Sequence, residues 1–331
     1  MFSLDQYHAL KDGAGLLDRS SRGRLRLTGV DRRAYLQGLL TNDILALGPG
    51  TGCYSAYLTA QGRMISDMRL FEIGDALLAD MAGAVTTAVR DRWDQFIFSE
   101  DVQIADVSAG TAQLGVYGSR AAQALEAAFG LVALEALPLY GNRLVDDPGA
   151  GAVDIVLRSD DIGVDGFDLI VPVERKEEVA GRLRAAGVID VGHDTAEVCR
   201  IEAGRPLFAV DMDEHTIPLE AGIEDRAISL SKGCYVGQEI IIRRLHRGHG
   251  RVARRLVGLA FDAGAPVPAR GDRLCAGDRE AGLITSAALS PALGHPIALA
   301  VLHRDFTEPG AVVHANDTPA TVTRLPFRME P

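Results

Sequence analysis

The residues with the clearest chemical potential lie in one short segment, residues 232–239, whose sequence is Lys-Gly-Cys-Tyr-Val-Gly-Gln-Glu. Cys234 stands between Gly233 and Gly237, and glycine lets the backbone turn sharply and a partner approach the sulfur. A helical pattern follows, so we expect Cys234 to lie just ahead of a helix N-terminus, where the helix dipole and Lys232 favour the thiolate. The alternative is a buried structural cysteine in a glycine-rich turn. The remaining residues of this motif are Tyr235, Gln238 and Glu239.

The composition is that of a globular protein with more than one domain. The chain has 331 residues, of which 47% are apolar and 24% charged, and this length predicts two or three domains. The N-terminus has no basic region followed by an apolar stretch, and no run of about 18 apolar residues occurs. We therefore expect a cytoplasmic protein that does not enter a membrane. We also expect it to be a monomer. Its four cysteines include no C-x-x-C pair, which excludes a local zinc or iron–sulfur motif.

The charge distribution is acidic overall, with one basic exception. A net charge of −11 argues against direct nucleic-acid binding. Residues 243–255 nevertheless contain six arginines, two histidines and no acid. This stretch is either a solvated basic face or an anion site for a polyglutamate tail, a phosphate or an acidic partner. No metal is expected at His246 and His249, because glycines interrupt any helix there and no third ligand is in register.

Periodicity predicts an α+β chain that becomes all-β near its C-terminus. Residues 24–28 alternate polar and apolar types, as in a half-buried strand, and residues 31–40 have one apolar helical face with Asp31 as the expected N-cap. Hairpin-sized gaps between the next strand-like segments favour antiparallel pairing. After Arg251, short apolar runs alternate with Gly and Pro turns, which predicts a small β-barrel or sandwich.

The motif at residues 232–239 resembles the signature of the YgfZ branch of the GcvT-like, folate-binding family, which has the aminomethyltransferase fold. That branch includes mitochondrial factors that help to mature four-iron clusters. Further stretches agree with the family in the expected order and extend the resemblance over most of the first 250 residues. These stretches are residues 36–43, 61–67, 200–206 and 213–220.

The resemblance implies a three-lobed fold with two related α+β units, one inserted in the other, and a C-terminal β-barrel. On this basis residues 1–48 and 113–245 form a discontinuous folate-binding domain, residues 49–112 an inserted α+β domain, and residues 246–331 the barrel. Tetrahydrofolate or a one-carbon derivative is the implied cofactor, held in the central opening.

The family pattern also implies site residues. Tyr54 and Asp67 match a tyrosine and an aspartate thirteen residues apart that serve the folate in the glycine-cleavage enzyme, and Arg200 matches a cation that faces it. Glu202, in the same stretch, is assigned to the site with Arg200. A carboxylate beside a folate amine can accept a proton or stabilise positive charge. The alternatives are a strand-end acid for Asp67 and a surface ion pair with Glu197 or Glu202 for Arg200.

Three departures from the enzyme branch bear on function. Val164 occupies the position of a glutamate that binds the pteridine, so orientation of the folate must differ, weaken or depend on Asp165. An expected asparagine is also missing near Gly83. The enzyme branch lacks a cysteine motif of the Cys234 kind.

The interpretation that follows is a folate-binding accessory protein. It would support assembly or repair of iron–sulfur enzymes, including tRNA-modifying ones, with iron–sulfur proteins or their assembly factors as partners and with Cys234, activated by Lys232, as the reactive group. The first alternative is a folate-dependent aminomethyltransferase or demethylase that uses Asp67. The second is a non-catalytic interaction scaffold that uses the basic stretch at residues 243–255.

Overall fold

The computed structural model describes residues 2–145, 154–247 and 251–328. Its first sheet is antiparallel and five-stranded. In spatial order the strands are β3 Gly52–Leu58, β4 Met64–Glu72, β5 Leu77–Met81, β2 Gly23–Thr28 and β6 Gln103–Asp106.

The second sheet has six strands and is antiparallel except where β1 pairs with β11. In spatial order its strands are β11 Ile189–Asp190, β1 Gly15–Asp18, β7 Thr111–Tyr117, β10 Gly166–Pro172, β9 Ile155–Ser159 and β8 Asn142–Leu144.

The C-terminal part closes into an antiparallel barrel, as the Gly- and Pro-punctuated apolar runs predict. In order around the barrel the strands are β12 Arg254–Phe261, β15 Pro296–His303, β14 Arg279–Leu289, β13 Arg273–Ala276, β16 Val312–Ala315 and β17 Thr318–Thr323. The α+β class with a terminal barrel is therefore confirmed.

The helices are short and pack against the outer faces of the sheets or join them to the barrel. They are α1 Leu4–Asp12, α2 Arg32–Leu39, α3 Thr86–Asp94, α4 Ala121–Phe129, α5 Lys176–Ala185, α6 His193–Glu202, α7 Pro218–Ala221, α8 Glu224–Ala227 and α9 Gln238–Ile242. Asp31 precedes α2 as expected, but its carboxylate accepts the backbone N–H of Asp101 and no helical N–H.

The five-stranded sheet does not begin at residue 49. Strand β2 pairs with both β5 and β6, so residues 23–28 belong to this sheet together with residues 52–106. Since sheet membership alone does not define a folding unit, the three domain ranges given above stay a prediction.

One face of the five-stranded sheet is apolar, and the other combines charged side chains with apolar ones such as Phe71 and Leu78. Cross-strand pairing places Tyr54 opposite Arg69, Arg69 opposite Asp80, and Asp80 opposite Arg24, while Asp67 lies opposite Ala56. Because side chains alternate along a strand, all of these residues share one face. The opposite face supplies the apolar cluster that α2 and α3 cover.

The charged part of this face lies inside the protein at Arg24, whereas Arg26 and Thr28 on the same face of β2 keep partial exposure. Arg24, Arg69 and Asp80 are each at most 1% exposed. They face a matching set on the second sheet, where Asp168 accepts from Arg69 at 2.8 Å and Gln113 accepts from Arg24 at 3.2 Å. The two sheets therefore meet through paired charges that neutralise each other away from water.

Candidate functional site

The centre of the candidate site is a hydrogen-bonded pair on the β3–β4 hairpin. The Tyr54 hydroxyl donates to Oδ2 of Asp67 at 2.8 Å. The hairpin register explains the contact, because Tyr54 and Ala56 share a face and Ala56 is the cross-strand partner of Asp67. The two side chains are thus diagonal neighbours, within reach of a long aromatic residue.

The environment of Asp67 favours its protonated form. Burial raises the pKa of its carboxyl, and the charge of Asp161 adds to this, while the Tyr54 hydroxyl and Arg22 act in the opposite direction. Asp67 as a whole residue is intermediate in exposure, but its carboxyl group is enclosed by the protein. Burial, and then the charge of Asp67, raise the pKa of Tyr54 well above its usual range, so Tyr54 stays a donor. A carboxyl of this kind keeps its proton to a higher pH than an exposed one does.

An aromatic and cationic wall adjoins the pair. The ring of Tyr54 stacks on that of Tyr140, with centroids 6.5 Å apart, and the guanidinium of Arg226 lies 5.0 Å from the Tyr54 ring centroid. Arg226 also donates to the Tyr140 hydroxyl and, at 3.3 Å, to Asp160. Sequence reasoning missed Arg226 and Tyr140, because no local pattern links residues so far apart in the chain.

A dense ion network lies behind the pair. Arg69 donates to Asp80 and Asp168, and Arg19 donates to Asp161 and Asp168. Asp161 is the member that also acts electrostatically on Asp67. These residues went unnoticed as well, although charged residues at alternate positions of β2 and β4 were the available signal.

An open cavity of about 670 Å³ lies on the side of the barrel, and its lining includes none of Tyr54, Asp67, Tyr140 and Arg226. Its lining includes Asp160, the ion-pair partner of Arg226, together with Arg205, Lys11 and Glu202. Phe327 lines the same cavity from the C-terminal segment. The volume lies within the range of small-molecule sites.

Arg200 does not join the pair. Its guanidinium donates to Asp211 and Ser286, each at 2.7 Å, and to Glu197. Since Ser286 belongs to β14, Arg200 ties α6 to the barrel. The ion pair with Glu197, which is the alternative given above for Arg200, is therefore present together with the contacts to Asp211 and Ser286.

Glu202 connects α6 to α1 and to the end of β14. It accepts from Tyr7 at 2.8 Å and from Ser290 at 2.6 Å, and its carboxylate lies 3.0 Å from the Lys11 ammonium. Among the residues that the structure describes, neither Arg200 nor Glu202 hydrogen-bonds to the tyrosine–aspartate pair. Glu202 lines the cavity that also contains Asp160.

The cysteine motif divides into an exposed half and a buried half. Cys234 is exposed, and open space surrounds the position of a Cβ on Gly233. Gly237 is the residue before α9 and has a φ of +85°. Cys234 is therefore four residues before the first helical position, further from the helix end than expected.

The remaining motif residues do not surround the thiol. Tyr235 is buried, and its hydroxyl has no hydrogen-bond partner in the described part of the chain. Gln238 is the first residue of α9, and Glu239 pairs with Arg243 on the same helical turn.

Lys232 is placed differently from the expectation. Its ammonium donates to the carbonyl oxygens of Gln37, Leu40 and Asn42, at 2.7, 2.5 and 2.8 Å. All three donors are thereby engaged with the end of α2. The expected activation of Cys234 by Lys232 finds no contact that supports it.

The departures from the family pattern have structural counterparts. Val164 packs against an apolar cluster, and Asp165 forms an ion pair with Arg158 at 2.5 Å with its side chain 61% exposed, outside the tyrosine–aspartate pair. A Cβ on Gly83 would lie 2.2 Å from the carbonyl oxygen of Ser21. A side chain at residue 83 would therefore require the backbone to move.

No cluster of three or more potential metal ligands occurs within the described ranges. His249 lies outside those ranges, as do residues 248 and 250 of the basic stretch. The described helices include none that is both long and apolar enough to cross a membrane.

Comparison with known proteins identifies the family. Residues 2–232 match the model of the GCVT N-terminal domain, and residues 254–328 match that of the glycine cleavage T-protein C-terminal barrel domain. An aminomethyltransferase of Prochlorococcus marinus (strain MIT 9303) is 30% identical over 99% of this chain and 90% of its own length. That of Thermosynechococcus vestitus is 31% identical, over 99% and 88%.

The same fold occurs in a solved structure. The crystal structure of glycine cleavage system aminomethyltransferase T from Bartonella henselae covers 98% of this chain and 89% of its own, with a TM-score of 0.88 at 21% identity. The two matching domain models, the relatives and the shared fold together show that this chain belongs to the GcvT-like aminomethyltransferase family.

Proposed function

We propose that this protein binds tetrahydrofolate, or a one-carbon derivative of it, beside Tyr54 and Asp67 and carries out a folate-dependent one-carbon transfer. The relatives are aminomethyltransferases by name, and transfer of that type, or a folate-dependent demethylation, is the activity that we place first. The observation that carries the proposal is the hydrogen-bonded pair itself, in which Tyr54 fixes the position of the Asp67 carboxyl and burial raises the pKa of that carboxyl.

Each residue of the site has a distinct role in this proposal. Oδ2 of Asp67 accepts a proton from an amine, or stabilises positive charge on it. Tyr54 donates to that oxygen and so orients the carboxylate. Arg226, which Tyr140 and Asp160 hold in place, offers a guanidinium to an anionic group of the ligand. Tetrahydrofolate, when bound, supplies the nitrogens that carry the one-carbon unit.

The residues suit a reduced folate, although Val164 replaces the glutamate that binds the pteridine in the enzyme branch. A carboxylate acceptor, stacked aromatic rings and a guanidinium suit a flat ligand with N–H donors and an acidic tail. Because Val164 cannot accept from a pteridine, orientation must come from other groups.

Calorimetric titration with tetrahydrofolate tests the binding step. We expect Asp67→Asn to weaken affinity at least ten-fold, a loss of about 1.4 kcal/mol or more. The matched control is Asp75→Asn, whose carboxylate is 71% exposed and pairs with Arg26 on the surface of the same sheet. Equal affinities for the wild type and both variants would overturn the proposal.

Turnover is tested separately, by formation of methylene-tetrahydrofolate from an aminomethyl donor. We expect product with the wild-type protein and none with Asp67→Asn. Binding of folate without product from any amine donor would remove the transfer reaction and leave the second candidate.

The second candidate is the accessory role of the YgfZ branch in assembly or repair of iron–sulfur proteins. The observation that favours it is the exposed Cys234 on a loop whose neighbours Leu230 and Val236 are also exposed. A deletion strain that produces Cys234→Ala should then keep low iron–sulfur enzyme activity, whereas Cys275→Ala, which alters the exposed barrel cysteine, restores it. Full restoration by Cys234→Ala would eliminate this candidate.

A further inference from the structure

The loop that carries the cysteine motif is fastened to the end of α2. The backbone N–H of Ser229 donates to the carbonyl of Thr41 at 3.1 Å, and that of Val236 donates to Gly38 at 3.1 Å. Between these two points, the Lys232 ammonium donates to three carbonyl oxygens of residues 37–42. Residues 229–236, which we call the strap, therefore bind this helix end at three places.

The end of the strap also contacts the turn that joins β3 to β4. A Cβ on Gly237 would lie 2.5 Å from the carbonyl oxygen of Thr59 and 3.2 Å from Cα of Gly62. Contact this close is open only to glycine. Since β3 and β4 carry Tyr54 and Asp67, the strap abuts the hairpin on which the candidate site is built.

The end of α2 is connected directly to the wall of the site. The side-chain amide of Asn42 donates to the backbone carbonyl of Tyr54 at 2.8 Å and to that of Arg226 at 3.1 Å. Thr41 donates to the carbonyl of Ala227 at 2.6 Å. The backbones beneath the tyrosine and the guanidinium thus converge on a two-residue segment.

We infer that Lys232 is a positioning residue for the folate site: it fixes the end of α2, and Asn42 at that end fixes the backbones of Tyr54 and Arg226. The inference rests on the proposed folate binding. An ammonium suits this place because three donors on one compact group bind three carbonyls at once. Two of these, at Gln37 and Leu40, lie at the C-terminal end of α2, where carbonyls lack helical partners, and the third belongs to Asn42 just beyond it. Lys232 therefore acts through Asn42 and not through Cys234, although both belong to one motif.

The inference predicts different effects for the two motif residues. In calorimetric titrations with tetrahydrofolate, Lys232→Met removes the donors at similar side-chain length, and we expect about ten-fold weaker binding or more. Cys234→Ser should change the affinity less than two-fold. Asn42→Ala should weaken binding to a similar extent, and the double variant Lys232→Met with Asn42→Ala should be little weaker than either single one, because both break the same connection.

A pH profile adds a readout that a loss of folding stability would not produce. Burial lowers the pKa of Lys232 to about 8, although Asp43 and Cys53 favour its charged form. Burial raises the pKa of Cys53 and of Tyr235, whose ring lies 5.2 Å from the ammonium, to about 12. Wild-type affinity should therefore fall as the pH rises through about 8, and this alkaline decrease should be absent in Lys232→Met.

The possible results separate the two ideas. If the wild type does not bind tetrahydrofolate, the proposed function fails. If the wild type binds but Lys232→Met binds equally well, or Cys234→Ser weakens binding as much as Lys232→Met does, the positioning role is refuted. If Lys232→Met does not fold, the wild-type pH profile and the Asn42→Ala titration still decide, and a flat profile with unchanged Asn42→Ala affinity refutes the role.

Discussion

Replacing Tyr54 by phenylalanine tests whether the Tyr54 hydroxyl holds Asp67 in its working state. The change removes one oxygen and with it the 2.8 Å hydrogen bond to the Asp67 carboxylate. Burial already raises the pKa of Asp67, and the Tyr54 hydroxyl opposes that effect. Its removal should therefore raise the pKa of Asp67 further.

The size of the effect follows from the type of bond. A hydrogen bond to a charged group contributes about 1.5–3 kcal/mol, and about 1.4 kcal/mol corresponds to a ten-fold change in proton affinity. The proton affinity of Asp67 should thus rise about ten-fold or more in Tyr54→Phe. Since the carboxylate is the proposed working form, function should be lost at a higher pH than in the wild type as the solution is acidified.

Two measurements follow this change. Carbon-13 NMR of aspartate carboxyls reports the titration of Asp67 directly, and tetrahydrofolate affinity as a function of pH reports its consequence. Tyr57→Phe is the matched control, because Tyr57 lies on the same strand, is 3% exposed and packs against Trp93 instead of Asp67. If the pKa of Asp67 in Tyr54→Phe equals that in the wild type and in the control variant, the reasoning from the hydrogen bond is wrong.

Three further predictions concern stability in urea unfolding. Gly237→Ala should lower the free energy of unfolding by at least about 1–2 kcal/mol, because its φ is +85° and the new Cβ meets the β3–β4 turn. The control Gly233→Ala should lie within about 0.5 kcal/mol of the wild type, and equal effects of the two variants would contradict the close contact. Arg69→Met should lower the free energy of unfolding by about 3–5 kcal/mol, because it leaves buried carboxylates unpaired. The control Arg26→Met, at a surface residue, should lower it by about 1 kcal/mol or less. An unchanged stability of Arg69→Met would show that the network is dispensable. Asp67→Asn should stabilise the protein at neutral pH, since a carboxyl with a raised folded-state pKa contributes stability that is lost as the pH rises through that pKa. The gain should vanish in acid, where the wild-type carboxyl is protonated as well. A loss of stability at neutral pH would contradict the direction of the pKa shift.

The candidate site was predictable where one hairpin contains it. Tyr54 and Asp67 lie on adjacent antiparallel strands, so their spacing in the chain nearly determines their contact. Arg226 and Tyr140 reach the same place from distant segments, and no periodicity relates their positions. Arg200 was assigned to the site from the family match alone, and in the structure its guanidinium binds Asp211 and Ser286. Its role toward a folate stays a prediction.

The sequence by itself determined the family, the α+β class and the terminal barrel, because motif residues and the spacing of turns are local properties of the chain. Only the tertiary structure decided the environment of each face. The alternation of Arg24, Arg69 and Asp80 with apolar neighbours defines which residues share a side of a strand, and it is compatible with water or with another sheet on that side. Here a second polar sheet covers it. Lys232 illustrates the same limit, since its ammonium binds carbonyls almost two hundred residues away in the chain, and only the fold brings those carbonyls within its reach.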